Sequence, residues 1–205
     1  MMRIRTLAAA VAALAALVGV GACSNSGNDQ AGPTKGAPTS ASAPDGHKQA
    51  DVVFAQHMIP HHQQAIEMSD IVLGKQGIDS RVVDLANQIK AAQGPEIEQM
   101  QTWLGQWGTP SQTMMPSQSM MPTQSTMPGM SGMSDEDIAA LKNAQGVEAS
   151  KLFLTQMIQH HRGAIAMAQD EVNSGGYPAA TAMARSIVAS QQQEIDTMQK
   201  LLASL

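Results

Sequence analysis

The stretch Phe54-Ala-Gln-His57-Met58-Ile59-Pro60-His61-His62-Gln-Gln-Ala65-Ile66-Glu-Met68 returns later as Phe153-Leu-Thr-Gln-Met157-Ile158-Gln159-His160-His161-Arg-Gly-Ala164-Ile165-Ala-Met167. Apolar residues recur at three- and four-residue spacing in both copies, which predicts two helices, each carrying two adjacent histidines. At about 100° per residue with Met58 as zero, His61 falls near −60°, His62 near +40° and Met68 near −80°. An imidazole and thioether face therefore looks inward beside Phe54 and Ala65, and it is the candidate for the chemistry.

A second pair of segments repeats as well. Leu85, Ile89, Gln93, Glu96, Met100 and Trp103 fall within roughly 80° of one another on a helix, and Met183, Ile187, Gln191, Glu194, Met198 and Leu201 match them at an offset of 98 residues. An unpaired buried carboxylate costs several kcal/mol, so Glu96 and Glu194 must meet a proton, a cation or hydrogen-bond donors across the helix interface. The histidines opposite are the obvious partners. The first helix is expected from about Lys48 to Leu73, ending at Gly74 and Gly77, and the second from about Ser80 to Trp107. Ser134-Asp-Glu-Asp137 reads as a capping box opening the third, which Gly146 interrupts and which ends near Asn173. Pro178 suits the first turn of the fourth. Pro60 inside the first helix removes a backbone hydrogen bond, at a typical cost of about 3 kcal/mol unless a kink relieves it. Neither hairpin can bury both seams alone, so the expected fold is all-α: an antiparallel four-helix bundle of two duplicated hairpins (residues 47–107 and 134–205), in which facing side chains can build metal sites.

Composition agrees. Ala, Met, Leu, Ile and Val supply the apolar content, with five aromatic side chains among 205 residues, a balance that favours helix over sheet. Residues 1–22 read as an export signal, with Arg3 and Arg5 ahead of an apolar run from Leu7 to Val20. Val20-Gly21-Ala22-Cys23 resembles the lipobox of bacterial lipoproteins, which makes Cys23 the acylation site and anchors the mature protein to a membrane outside the cytoplasm. As the only cysteine, Cys23 cannot form an internal disulfide. Without the signal, ten Lys and Arg stand against seventeen Asp and Glu, a formal charge of −7. Nucleic acid is excluded as a natural partner, and cations suit the sign. Residues 23–46, rich in Ser, Gly, Pro, Ala and Thr, cannot bury enough surface to fold and form a tether.

Between the hairpins, residues 108–133 are of another kind. Met114, Met115, Met120, Met121, Met127, Met130 and Met133 are spaced by Pro, Ser, Gln, Thr and Gly, with three Met-Pro pairs and no apolar period. Thioethers in an exported segment suit a soft metal, above all Cu(I). A linker that merely tolerates methionine is the alternative.

Met-Ile-Pro-His61-His62-x2-Ala-Ile and Gln93-x2-Glu96-Ile-x2-Met100, with their second copies, resemble the bacterial family called domain of unknown function 305 over most of residues 47–205. That resemblance implies a ferritin-like bundle and, since some members are exported copper binders, suggests copper. The family pattern carries an aspartate ahead of the first phenylalanine; Asp51 keeps it, whereas Ala149-Ser150 stand in the second copy.

Three readings follow. The chain is a copper-binding lipoprotein that sequesters or buffers the metal, Cu(I) by preference, and is not an enzyme. Its ligands are then Met58, His61, His62, Met68, Met100, Met157, His160, His161, Met167 and Met198, with Glu96 and Glu194 as direct oxygen ligands or as supports of the histidines. Asp51, His57 and the methionines of the linker are weaker candidates. Because neutral imidazole binds metal, affinity is expected to weaken as pH falls through the histidine range near 6.5. The second reading is a structural or interaction module in which His and Glu satisfy each other without metal. The third is a ferritin-like di-metal oxidase, disfavoured because a thioether (Met58, Met157) stands three residues before each histidine where such enzymes place a carboxylate. His47 has no evident partner, and Met183 reads as core filler because its counterpart Leu85 cannot bind metal.

Overall fold

The computed structural model describes residues 46–109 and 132–205; residues 1–45, including Cys23, and Met114, Met115, Met120, Met121, Met127 and Met130 lie outside the described residues. All regular structure described is helical: α1 (Gln49–Leu73), α2 (Ser80–Gln106), α3 (Asp135–Asn143), α4 (Gly146–Ser174) and α5 (Pro178–Ser204). No described helix is long and apolar enough to cross a membrane.

Helix ends follow local chemistry. Asp51 accepts the Lys48 N–H at 2.5 Å in the first turn of α1, and Asp79 caps α2 by accepting the Arg81 N–H, each satisfying a donor that the helix leaves free. Pro60 in α1 and Pro95 in α2 leave both helices continuous. Both prolines are exposed, so the carbonyl freed by the missing N–H lies on the side where water can bond it. The expected third helix is in fact two. Ser134 and Asp137 form the capping box of α3; the chain then extends through Ala144 and Gln145, and α4 opens at Gly146 with φ +56°. That left-handed backbone favours glycine, so the residue expected to interrupt a helix instead separates two of them.

α1 pairs with α2 and α4 with α5, and the hairpins join mainly through α1 and α4, while α2 and α5 touch much less. Two apolar clusters result. One gathers Phe54, Met58, Met100, Trp103, Met167 and Ile187; the other gathers Phe153, Met157, Met198, Met68, Ile89 and Leu85. Phe54 corresponds to Phe153, Met58 to Met157, Met100 to Met198 and Met167 to Met68, so the duplication in the sequence appears as two equivalent core ends.

The ends differ in their cover. α3 lies against α1 and α4, and its Ile138 and Leu141 join the second cluster. Gln156 fixes it by donating to the Asp137 carbonyl at 2.8 Å. Met133, expected in the linker, belongs to this end: its backbone N–H and C=O both bond the Gln64 amide, at 2.6 and 2.8 Å, and its side chain packs on the second cluster. The equivalent groove at the other end, between the start of α1 and the end of α4, holds a cavity of about 290 Å³.

Candidate metal centre

The duplicated histidines meet where the two hairpins meet. His61 on α1 and His160 on α4, which correspond in the repeat, stack with ring centroids 3.7 Å apart and planes tilted by 35°. They are 5% and 2% exposed. Not one of their four ring nitrogens has a hydrogen-bond partner. Burial, then the nearby His62 and His161, pushes the His61 pKa down to about 3; burial and the other three histidines hold His160 well below the usual range. Both rings are therefore uncharged at neutral pH and keep a lone pair available. The ordinary histidine range near 6.5 therefore does not describe these two rings.

His62 and His161 are fixed differently. His62 Nε2 lies 2.8 Å from Glu96 Oε2 and His161 Nε2 lies 2.5 Å from Glu194 Oε2. A carboxylate accepts, so Nε2 donates, and a neutral ring then carries its lone pair on Nδ1. Both Nδ1 atoms are buried without a partner. The glutamates, about one-fifth exposed at the side chain, thus reach in from the rim and orient the rings, the arrangement that carboxylates commonly make behind metal-binding histidines. One turn earlier on the same helices, Gln93 leaves both amide atoms and Gln191 its carbonyl oxygen without partners.

Sulfur completes the donor inventory. Met58, Met100, Met157, Met198 and Met68 are fully buried and Met167 nearly so. Among the described residues no three His, Cys, Asp or Glu side chains are grouped to hold a metal ion. Imidazoles together with thioethers would make a mixed nitrogen and sulfur set, which suits copper far better than iron or magnesium. The buried lone pairs without partners fit such a cargo.

Other candidates lie elsewhere. His57 is exposed on α1. Asp51 is buried but committed: it accepts the N–H groups of Lys48, Gly176 and Tyr177. It ties the α4–α5 turn to the start of α1. Ser150, its counterpart, accepts the Asp79 N–H at 3.2 Å in the α1–α2 turn, so the departure from the family pattern preserves one structural role with a weaker acceptor. His47 does have a partner, stacking on Trp107 at 4.6 Å, a contact across the fold that local sequence could not announce. Sequence reasoning also missed Glu171, 2% exposed; its position opposite the buried Val72 in the repeat was the signal that could have found it.

The family model for the domain of unknown function DUF305 matches residues 51–202. A DUF305 fragment from Deinococcus radiodurans is 32% identical, with a TM-score of 0.66, covering 79% of this chain and 100% of its own. A DUF305 protein of Streptomyces coelicolor, named as a predicted secreted protein, is 35% identical at the same TM-score, covering 79% of this chain and 94% of its own. CopM in its Cu(II)-bound form is 32% identical with a TM-score of 0.61, covering 75% and 96%; it also has Cu(I)-bound and Ag-bound structures. No curated protein matches the sequence.

Proposed function

Because the chain belongs to the DUF305 family, we propose that it binds copper outside the cytoplasm, buffering or sequestering the metal in a ferritin-like, antiparallel four-helix bundle to which α3 is an added cover. The carrying observation is the stacked pair His61 and His160, with four buried ring nitrogens and no partners. Leaving such groups unsatisfied inside a core costs free energy that a bound cation offsets. His62 and His161 join them through Nδ1, held by Glu96 and Glu194, and Met58, Met157, Met100 and Met198 supply sulfur, with Met68 and Met167 farther along the same helices. The Cu(I)-, Cu(II)- and Ag-bound forms of CopM, about 30% identical, support copper as the cargo. A lipid at Cys23 would hold the protein at a membrane surface, and methionines of the linker would add weak capacity.

The test is anaerobic Cu(I) titration with mass spectrometry of the intact protein, run on the parent and on the double variant His61→Ala, His160→Ala. Copper affinity should fall by on the order of a hundredfold, the upper range for disturbing even a supporting residue of a metal site. Affinity that survives sinks the assignment. The His–Glu pairs favour one other reading, a metal-free structural module; it wins if the parent binds no copper and the variant only melts at a lower temperature. Tight iron binding with oxygen consumption would instead indicate the oxidase.

A further inference from the structure

The two halves differ in what rests on the seam between α1 and α4. At one end α3 lies on it, with Ile138 and Leu141 in the second cluster and Gln156 holding its first turn. Leu152 of α4 packs on that cluster, and Ala149 is fully buried. Their counterparts in the repeat, Val53 and Ala50 on α1, instead line the cavity of about 290 Å³ with Phe54 and Met167. Val53 is 36% exposed, one of two large apolar side chains exposed among the described residues. The same apolar positions thus have a partner in one half and none, among the described residues, in the other.

The path of the chain names a partner. Trp107 stacks on His47, just ahead of α1, so the chain leaves α2 beside the first turn of α1. It returns pressed on Gln64: Met133 donates its N–H to Gln64 Oε1 and accepts from Nε2, and Gly132 lies so close that a Cβ there would collide with the same side chain. From there α3 runs toward Lys75, which donates to the Lys142 carbonyl. The open half of the seam lies the other way, between the two points where the chain leaves and returns. Lys48 and Gln64 stand about 24 Å apart along α1, and residues 110–131, extended, reach on the order of 70 Å. Counting back from Gly132, Met130 reaches about 7 Å and Met127 about 17 Å, while His57 and Val53 stand about 10 and 16 Å from Gln64 along α1.

We propose that the open groove is the seat of this chain's own methionine segment, with Met127 and Met130 laid against Val53, Phe54 and Met167. Thioethers on flexible stems fill irregular apolar grooves, and Pro128 biases Met127 toward the extended backbone that such a groove accepts. Residues 110–131 carry no charged side chain, so they meet no repulsion at a rim holding Asp170. This docking rests on packing and holds whether or not the centre takes copper.

The test is methyl NMR of the full chain with labelled methionine, valine and phenylalanine. Cross-peaks from the Met127 and Met130 methyls to Val53 and the Phe54 ring are expected. The paired variant Met127→Ser, Met130→Ser should lose them and shift the Val53 methyl signals, whereas Met114→Ser with Met115→Ser, at the far end of the segment, should leave them in place. The seat is a light surface contact, so proximity reads it better than melting does. Absent cross-peaks, or Val53 signals indifferent to the paired variant, overturn the proposal. Cross-peaks found only between labelled and unlabelled chains in a mixed sample place a second copy in the groove and overturn it as well.

Discussion

At its centre the molecule repeats itself, and at its two outer ends it does not. His61 and His160, His62 with Glu96 and His161 with Glu194, and Met58 and Met157 are identical residues in equivalent contacts. Away from the centre Asp51 faces Ser150 in the comparison, Glu171 faces Val72, and α3 covers one groove while the other lies open. Residues that serve one shared place must satisfy both halves at once, whereas each end answers only to its own surroundings.

That contrast can be broken or sharpened by substitution. The largest effect should come from the covered end: Leu141, fully buried in α3, should cost about 2–5 kcal/mol when changed to Ala. Val53, 36% exposed in the open groove, should change stability by no more than about 0.5 kcal/mol as Val53→Ala. Denaturant unfolding of both variants checks this, and equal losses would mean that the open groove is packed like the other.

At the centre, Met58→Leu with Met157→Leu keeps volume and costs little stability. It removes sulfur, so Cu(I) affinity should drop by roughly tenfold or more in competition with a chelator, given the preference of Cu(I) for thioether. Unaltered affinity would leave the imidazoles as sole donors. Asp51→Ser gives the first half the acceptor of the second and should destabilise by about 1 kcal/mol, since one hydroxyl cannot replace a carboxylate bound by three N–H groups; a neutral outcome in thermal melting would make the two turns equivalent in strength.

A different kind of effect is a slope with pH. Burial, then the adjoining Asp51, raises the Glu171 pKa to about 8 from an unfolded value of 4.5. Between those values the native state holds a proton that the unfolded chain has lost, so this group's contribution to stability is fully present below 4.5 and is lost as pH rises through 8. Glu171→Val should remove that component from stability measured across this window, and an unchanged slope would show that another group carries it.

The repeat made much of this legible in advance. Its two helix types, the seam holding Glu96 and Glu194, and the inward histidines all rest on spacing along single helices, which sequence displays directly. What escaped depends on contacts between distant segments. Residues Ile138 and Leu141 look like an ordinary helix start until α3 is seen seated on α1 and α4, and His47 has no partner until α2 returns Trp107 beside it. Asp170 and Glu171 are adjacent acidic residues, and only the second is buried. Comparing the halves position by position, rather than motif by motif, would have exposed it.

The depth of the stacked histidines sets a rate as well as an affinity. With 5% and 2% of their surfaces exposed, the proposed ligands His61 and His160 could receive an ion only when the packing around them opens, and α1 against α4 is the broadest contact between the hairpins. Loading should therefore follow local opening, at a pace independent of metal concentration once the ion is plentiful, and release should be equally slow. Stopped-flow uptake compared with hydrogen exchange of the α1 and α4 amides would reveal a shared rate. On the copper reading proposed above, such a protein would act less as a rapid courier than as a store with long residence times.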